Sequence, residues 1–389
     1  MSTPAQAAQA LFELTYDTVP TAMFKAPGRV NLIGGHTDYN EGLVLPAAIN
    51  FHTVIAVSPN SDNCINAVSA RFGAEVQSWQ ISSEEQQDND NAPWFNYLIG
   101  LCRSFLLTGL DIKGMNVAIA SNVPLNAGLA SSAALEIAFA MALSEQNQLH
   151  LSNLALAQLA QRSEYQYVGF ECGLMDQMIS ACAREDHAMM IDCMDMSAKP
   201  IEIPDNLSLL IFMPTQPLKR SADDYHLRQH ECAQAAQHFG VESLRELTLS
   251  QLEQGKASLS PTLYKRALHV LGENARVYSA GKALQRGQLA KFSQIMAQAH
   301  ESMRDNFELS VPQIDQLVDS INQVVGDKGG VRITGGGVGG CVVALIDHDY
   351  TEAVFSAVEG EFSKQTGVDV TTFICHPSDG VHQLSIEQA

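Results

Sequence analysis

Five glycines fall within the six residues 335–340, in the run TGGGVGGC, and no other feature limits so sharply what the chain can fold into. Formally the run contains G-x-G-x-x-G, the spacing of a dinucleotide-binding turn, but such a turn must open a helix. Here strand-like runs flank it on both sides, residues 331–334 before and 341–346 after. A tight strand-to-strand connection is therefore expected. Two glycines satisfy a hairpin that needs positive φ; five imply that the backbone comes close to a ligand or to another loop.

The rest of the chain supplies both strands and helices, so the expected fold class is α+β. Residues 43–57 are apolar and branched, and Met115, Val117 and Ile119 alternate at the period of a strand. Residues 133–143 are rich in helix formers, and Ser152 is placed to cap a helix that runs to about residue 167 and stops at Gly169. Residues 207–213 predict a short buried strand, which Pro214 and Pro217 end. Further helices are expected at 219–238, 261–286, 289–305 and 312–325, and the acidic run EEQQDNDN at 84–91 is expected to be a solvated loop. With 389 residues the chain exceeds what one core usually serves, and two domains are expected, 1–195 and 196–389.

Charge narrows the partners. Lys and Arg number 23 against 43 Asp and Glu, a formal charge of −20 that repels phosphate polymers and anionic lipid, so neither nucleic acid nor a membrane is an expected partner. No apolar run approaches the ~20 residues of a spanning helix, and the first residues lack a basic segment followed by an apolar one. A cytoplasmic location is expected. The eight cysteines include no CxxC pair, and in a chain this large reduced thiols are the default.

Two further segments carry chemistry. Residues 124–132, PLNAGLASS, follow the alternating strand and precede the helical run, which puts small residues and hydroxyls at a helix N-terminus. Unpaired N–H groups and the positive end of the helix dipole favour an anion there, and Gly128 lets it approach. The absence of GK[ST] excludes a P-loop. Capping of the helix by Ser131 or Ser132 accounts for the same residues equally well. Residues 26–40 gather Arg29, Asn31, His36, Asp38 and Asn40 in a glycine-punctuated stretch whose dense polar groups suit sugar hydroxyls. A carboxylate accepts from two adjacent hydroxyls, and Arg29 can stabilise charge on a transferring phosphoryl group. For any one of these residues alone, a surface ion pair is the simpler reading. His226 and His230, four apart with Cys232 nearby, lack a fourth metal ligand, so a solvated helix face is expected.

Taken together in this order, the segments resemble the GHMP family of small-molecule kinases and, within it, the galactokinases. Residues 28–46, GRVNLIGGHTDYNEGLVLP, resemble the signature GRVNLIGEHTDYN-x-G-x-VLP. Residues 123–136, VPLNAGLASSAALE, resemble VPLGAGLSSSASLE, and residues 330–341, GVRITGGGVGGC, resemble GARMTGGGFGGC. Residues 164–180 and 300–315 are similar to two further galactokinase stretches, so the resemblance spans nearly the whole chain. It implies a two-domain GHMP fold with the active site between the domains, an ATP-dependent kinase acting on O1 of galactose, and Mg²⁺. By resemblance Asp176 is the general base and Arg29 assists phosphoryl transfer. Ser132 and Glu164 would hold Mg²⁺; Gly35, His36, Asp38, Gly173 and Tyr225 would meet the sugar. ATP would meet Gly128, Leu129, Ala130, Ser131 and Ser132, with Trp94 and Tyr97 near the adenine. A hard-oxygen ligand pair suits Mg²⁺ better than Zn²⁺. A monomer is expected.

Several positions depart from the family's pattern: Asn126 replaces a Gly, Ala130 a Ser, Tyr165 a His, and Pro214-Thr215 an Asn followed by Ser or Thr. The largest departure is Gly35, where the galactokinase signature has a Glu that contacts the C6 hydroxyl. Its loss predicts weak selection at C6. It also opens an alternative, a kinase for a galactose altered at C6 such as galacturonate, which requires a cation. None lies immediately around Gly35 in sequence, although a distant Arg or Lys could fold in. A third reading is a catalytically dead sugar sensor like the yeast relatives that have lost residues from the Ser loop; here that loop keeps its length.

Overall fold

The apolar run that begins at Leu43 becomes the strand on which the first sheet is built. The computed structural model describes residues 2–82, 92–125, 127–169, 172–215 and 222–385; the acidic run at 84–91, Asn126 and Pro217 lie outside them. Its strands are β1 (Ala22–Ile33), β2 (Leu43–Pro59), β3 (Cys64–Ser69), β4 (Gly73–Gln80), β5 (Met115–Ser121), β6 (His187–Asp192), β7 (Ser197–Glu202), β8 (Leu207–Pro214), β9 (Gly329–Thr334), β10 (Cys341–Asp347), β11 (Val370–Cys375) and β12 (His382–Leu384). The first sheet runs β12-β1-β2-β5-β3-β4, with β6 and β7 added at the start of β2; the second runs β11-β8-β10-β9. Among the described residues only the β3–β5 pairing is parallel.

The helices are α1 (Pro4–Tyr16), α2 (Pro93–Leu107), α3 (Ser131–Gln146), α4 (Asn153–Ser163), α5 (Met175–Cys182), α6 (Ala222–Phe239), α7 (Leu249–Gly255), α8 (Pro261–Gln285), α9 (Leu289–Asp305) and α10 (Pro312–Val325), with short turns at the end of the chain. Side chains alternate across β2: Val54 and Ala56 pack on Ala5, Ala8 and Phe12 of α1, while Ile55 and Val57 join the cluster that holds Phe139 of α3. Both faces are covered, which is why the strand reads as a nearly continuous apolar run.

Most of the expected elements are present, with two local differences. Ser152 does cap α4, accepting from the Ala155 N–H at 3.3 Å, but the α-helix ends at Ser163. One π-helical turn, Glu164–Val168, then carries the chain to Gly169 at φ +75°. Helix α7 had no expectation; its signal is the reciprocal capping box of Thr248 and Gln251, with no long apolar period behind it.

Beyond the expected division at 195/196, β7 pairs along its length with β6, and β12 pairs with β1, Met23 facing Leu384. The two sheets meet through one shared cluster in which Val30, Leu32 and Leu45 pack with Leu209, Ile211 and Val343. All eight cysteines are free. Among the described residues no helix is long and apolar enough to cross a membrane.

Candidate active site

Where β1 runs past the loop before α3, the chain leaves no room for a side chain. A Cβ on Gly28 would stand 2.6 Å from the Leu129 carbonyl, and the Arg29 N–H donates to that same carbonyl at 3.0 Å. Arg29 Nη1 donates to the Gly128 carbonyl at 2.5 Å, so strand and loop are clamped twice. The clamp decides the capping question. Ala130, at φ +58°, is the N-cap of α3 and offers no side-chain bond, so neither Ser131 nor Ser132 caps the helix. Ser131 and Ser132, in the first turn of α3, line a cleft of about 600 Å³.

The glycine run joins β9 to β10 as an antiparallel hairpin, and it lies against this loop. A Cβ on Gly128 would stand 3.5 Å from the Gly335 Cα, and Cys341 Sγ donates to the Ala127 carbonyl at 3.0 Å. The close approach expected of five glycines is thus, in part, loop against loop. Gly335, Gly336, Gly337 and Gly340 also line the cleft.

Asp176 stands in the first turn of α5, which the Ser180 hydroxyl ties to the Pro27 carbonyl of β1 at 2.8 Å. That tie brings Asp176 to Arg29 in a two-pronged ion pair, Nε to Oδ1 at 2.7 Å and Nη2 to Oδ2 at 2.5 Å. Asp38 begins the 3₁₀ turn Asp38–Asn40, and burial, then the charge of Asp176, pushes its carboxyl up to about 6. Gly173 faces it; a Cβ there would overlap the Asp38 carboxylate, 2.6 Å from Cγ. His36 is buried against the Tyr225 and Phe307 rings, with centroids 5.6 and 4.9 Å away, and its Nδ1 pairs with the Tyr39 hydroxyl at 2.9 Å. Burial, with nearby His269, Arg332 and Arg228, lowers its pKa to about 3, so the ring is neutral at pH 7.

Glu164, at the end of α4, is held by Gln177 Nε2 at 2.5 Å from Oε2 and lies 3.6 Å from Cys172 Sγ. Burial and Asp176 raise its carboxyl to about 7, and the Ser132 hydroxyl bonds to it. Ser132 and Glu164 thus present two adjacent hard oxygens at an acidic spot where a divalent cation would favour the ionised carboxylate. The donor set fits Mg²⁺.

The opposite wall is cationic. Gly35 has its carbonyl against His269 Nε2 at 3.0 Å and its N–H on Glu273 Oε1 at 3.3 Å. Arg332 of β9 reaches the same place: a Cβ on Gly35 would stand 2.9 Å from its Nη2. Sequence reasoning passed over Arg332, yet a signal was there, a charged residue inside a strand whose six residues are all buried. Asn31, named among the polar groups of its stretch, lines the cleft too, and so do Cys172 and Thr334, which the sequence had not singled out.

The cleft therefore brings together Arg29, Gly35, His36, Asp38, Tyr97, Gly128, Leu129, Ala130, Ser131, Ser132, Glu164, Gly173, Asp176 and Tyr225. It does not include Trp94, one turn from Tyr97 on α2, whose ring instead stacks on Phe72 at 6.2 Å and 7°. Tyr165 points away as well and is half exposed. Pro214 ends β8 opposite Val370.

Residues 10–59 match the galactokinase galactose-binding signature, residues 96–184 the N-terminal domain of GHMP kinases, and residues 281–364 their C-terminal domain. The chain is similar to Lactococcus lactis galactokinase, solved with galactose: 28% identity over 98% of this chain and 100% of that one, with a TM-score of 0.92. It shares its fold with Methanococcus jannaschii mevalonate kinase, at 18% identity over 92% and 99% of the two chains and a TM-score of 0.62. The homoserine kinase of Cytophaga hutchinsonii also shares it, at 14% identity over 93% and 97% and a TM-score of 0.61.

Proposed function

The chain belongs to the GHMP kinases as a galactokinase-like sugar kinase, and from that premise we propose that it transfers the γ-phosphoryl group of ATP to O1 of a galacto-configured hexose such as galactose. The observation that carries this reading is the Arg29–Asp176 ion pair, which stands in one cleft with Asp38, His36 and Tyr225 and with the Gly128–Ser132 loop. Asp176 accepts the proton of the anomeric hydroxyl as its oxygen bonds to phosphorus, and the bond to the bridging oxygen of ADP breaks. Arg29, paired to that carboxylate and to the loop, is positioned to meet the negative charge that spreads over the phosphoryl oxygens. The N–H groups at the start of α3 receive the phosphates. Ser132 and Glu164 would hold Mg²⁺, which supplies charge neutralisation on the phosphates when bound.

Asp38 holds the sugar by accepting from adjacent hydroxyls, with neutral His36 and Tyr225 beside it. Because its carboxyl is raised to about 6, sugar binding is expected to strengthen as pH rises through that value, read as a falling KM for the sugar at constant KM for ATP. The same shift has the opposite sign for folding. Protonation is favoured in the fold between Asp's ordinary value of about 3.9 and the raised one, so this group's contribution to stability is lost as pH rises through the window. Gly173→Ala would push the Asp38 carboxylate aside. The expected result is a loss of about 10–150-fold in kcat/KM for the sugar, the worth of one charge-assisted hydrogen bond, with ATP binding little changed.

ADP release measured with galactose, galacturonate, N-acetylgalactosamine, glucose and mevalonate tests the proposal. Release should require a galacto-configured sugar. Folded protein that binds galactose and turns over none of the panel would be a sensor and not a kinase.

A further inference from the structure

Arg332 is buried at 1% exposure and lines the cleft. Its Nε donates to the Ile333 carbonyl at 2.8 Å and Nη1 to the Leu32 carbonyl at 3.2 Å; among the described residues Nη2 has no acceptor. The acid facing it is Glu273, 3.7 Å from Nη1, and that carboxylate is already engaged: Oε2 takes Arg276 Nε at 2.6 Å, and Oε1 takes the Gly34 and Gly35 N–H groups. His36 and His269, the other titratable groups on this wall, are held neutral by burial. Two guanidinium groups thus share one carboxylate. A buried charge in excess is costly unless something pairs with it.

A Glu at position 35, as in the galactokinase signature, would bring a carboxylate beside Arg332, but its Cβ would stand 2.9 Å from Nη2 and 3.2 Å from Met303 Sδ, so those side chains would have to shift to seat it. The galactokinase motif that Arg332 matches keeps the Arg, so this chain retains the cation and lacks the acid that the signature has at position 35. By the resemblance, in which that Glu contacts the C6 hydroxyl, C6 would arrive beside Gly35 and Arg332, which both line the cleft.

We infer that the C6 end of the sugar subsite is built for a carboxylate, that Arg332 is its anchor, and that a hexuronate of galacto configuration, galacturonate, is a better substrate than galactose. The inference rests on the sugar-kinase reading and deepens it. A neutral C6 hydroxyl accepts one hydrogen bond from Nη2 and leaves the charge unpaired; a carboxylate does both. Nothing at C6 changes in the reaction: the bond made is still O1 to phosphorus, the proton still goes to Asp176, and ADP still leaves.

Two readouts separate this inference from the reading beneath it: kcat/KM with galacturonate, galactose and 6-deoxygalactose, and calorimetric binding of the same sugars without nucleotide. Each is taken on the natural protein, Gly35→Glu and Arg332→Met, with a melting curve for each variant. The natural protein should favour galacturonate over galactose by about 10–150-fold, the span of one charge-assisted contact. Gly35→Glu should reverse the order by filling the cation's partner position; Gly35 has no positive φ, and the atoms that must give way are the side-chain atoms Arg332 Nη2 at 2.9 Å and Met303 Sδ at 3.2 Å. Arg332→Met should erase the preference. Galactose used as well as or better than galacturonate by the natural protein, or a preference that survives Arg332→Met, would overturn the inference and leave the sugar kinase standing. Turnover of neither sugar sinks the kinase reading, and calorimetry then still decides the anchor. If Arg332→Met does not fold, Gly35→Glu decides alone.

Discussion

Asp176→Asn is expected to lower turnover by about 10²–10⁴-fold, the usual worth of a positioned general base, while changing sugar affinity far less. The substitution keeps the shape and removes both the basicity and half of the ion pair. Arg29 donates to both carboxylate oxygens, and an amide can accept from only one of its two prongs. Arg29 should therefore relax toward the Gly128 carbonyl, which it already contacts. Single-turnover measurements at saturating sugar and ATP isolate the chemical step. Near-normal rates in the Asn variant would mean that Asp176 only positions the sugar and that Arg29 carries more of the chemistry.

Glu273→Ala is expected to destabilise the fold by about 3–5 kcal/mol, the cost of leaving a buried charge without its partner. The carboxylate is fully buried and receives four donors or cations at once: the N–H groups of Gly34 and Gly35, Arg276, and at longer range Arg332. Burial alone would raise its pKa, but Arg276 and Arg332 outweigh burial and hold it at about 2. The sign for stability follows. Glu273 contributes above its ordinary value of about 4.3, and the contribution is lost as pH falls from there toward about 2. Urea melts at neutral pH should show the loss, and the acid-side decline of stability should be shallower in the variant. An unchanged midpoint would mean that water or a shifted side chain takes the place of the carboxylate.

What the sequence showed clearly is what lies close together along it. Arg29, His36 and Asp38 share one strand and turn, and the loop from Gly128 to Ser132 sits between an alternating strand and a helix, so local pattern was enough to propose both. The state of Ala130 was hidden because Ser131 and Ser132 are good caps by composition; the clamp from Arg29 and the Gly28 contact, both set by a distant strand, decide otherwise. The cation beside Gly35 was hidden for a different reason. Arg332, Glu273 and His269 come from β9 and α8 and meet Gly35 only through the packing of the two sheets, so a search immediately around Gly35 in the chain finds no cation. Trp94 shows the converse, a residue that resemblance grouped with Tyr97 and whose ring stacks on Phe72.

The pairing of β12 with β1 means that the first sheet is assembled from residues on both sides of the second, and the pairing of β7 with β6 carries it past residue 195. During synthesis, the strand that carries Arg29 can form early, but its outer edge stays bare until residues 382–384 are made. A fragment cut at 195, where the halves divide by sequence, would expose two unpaired edges, on β1 and on β6, each a template for another chain. The nascent protein thus has an interval in which aggregation competes with completion of the sheet, and co-translational folding of the first half alone cannot close it.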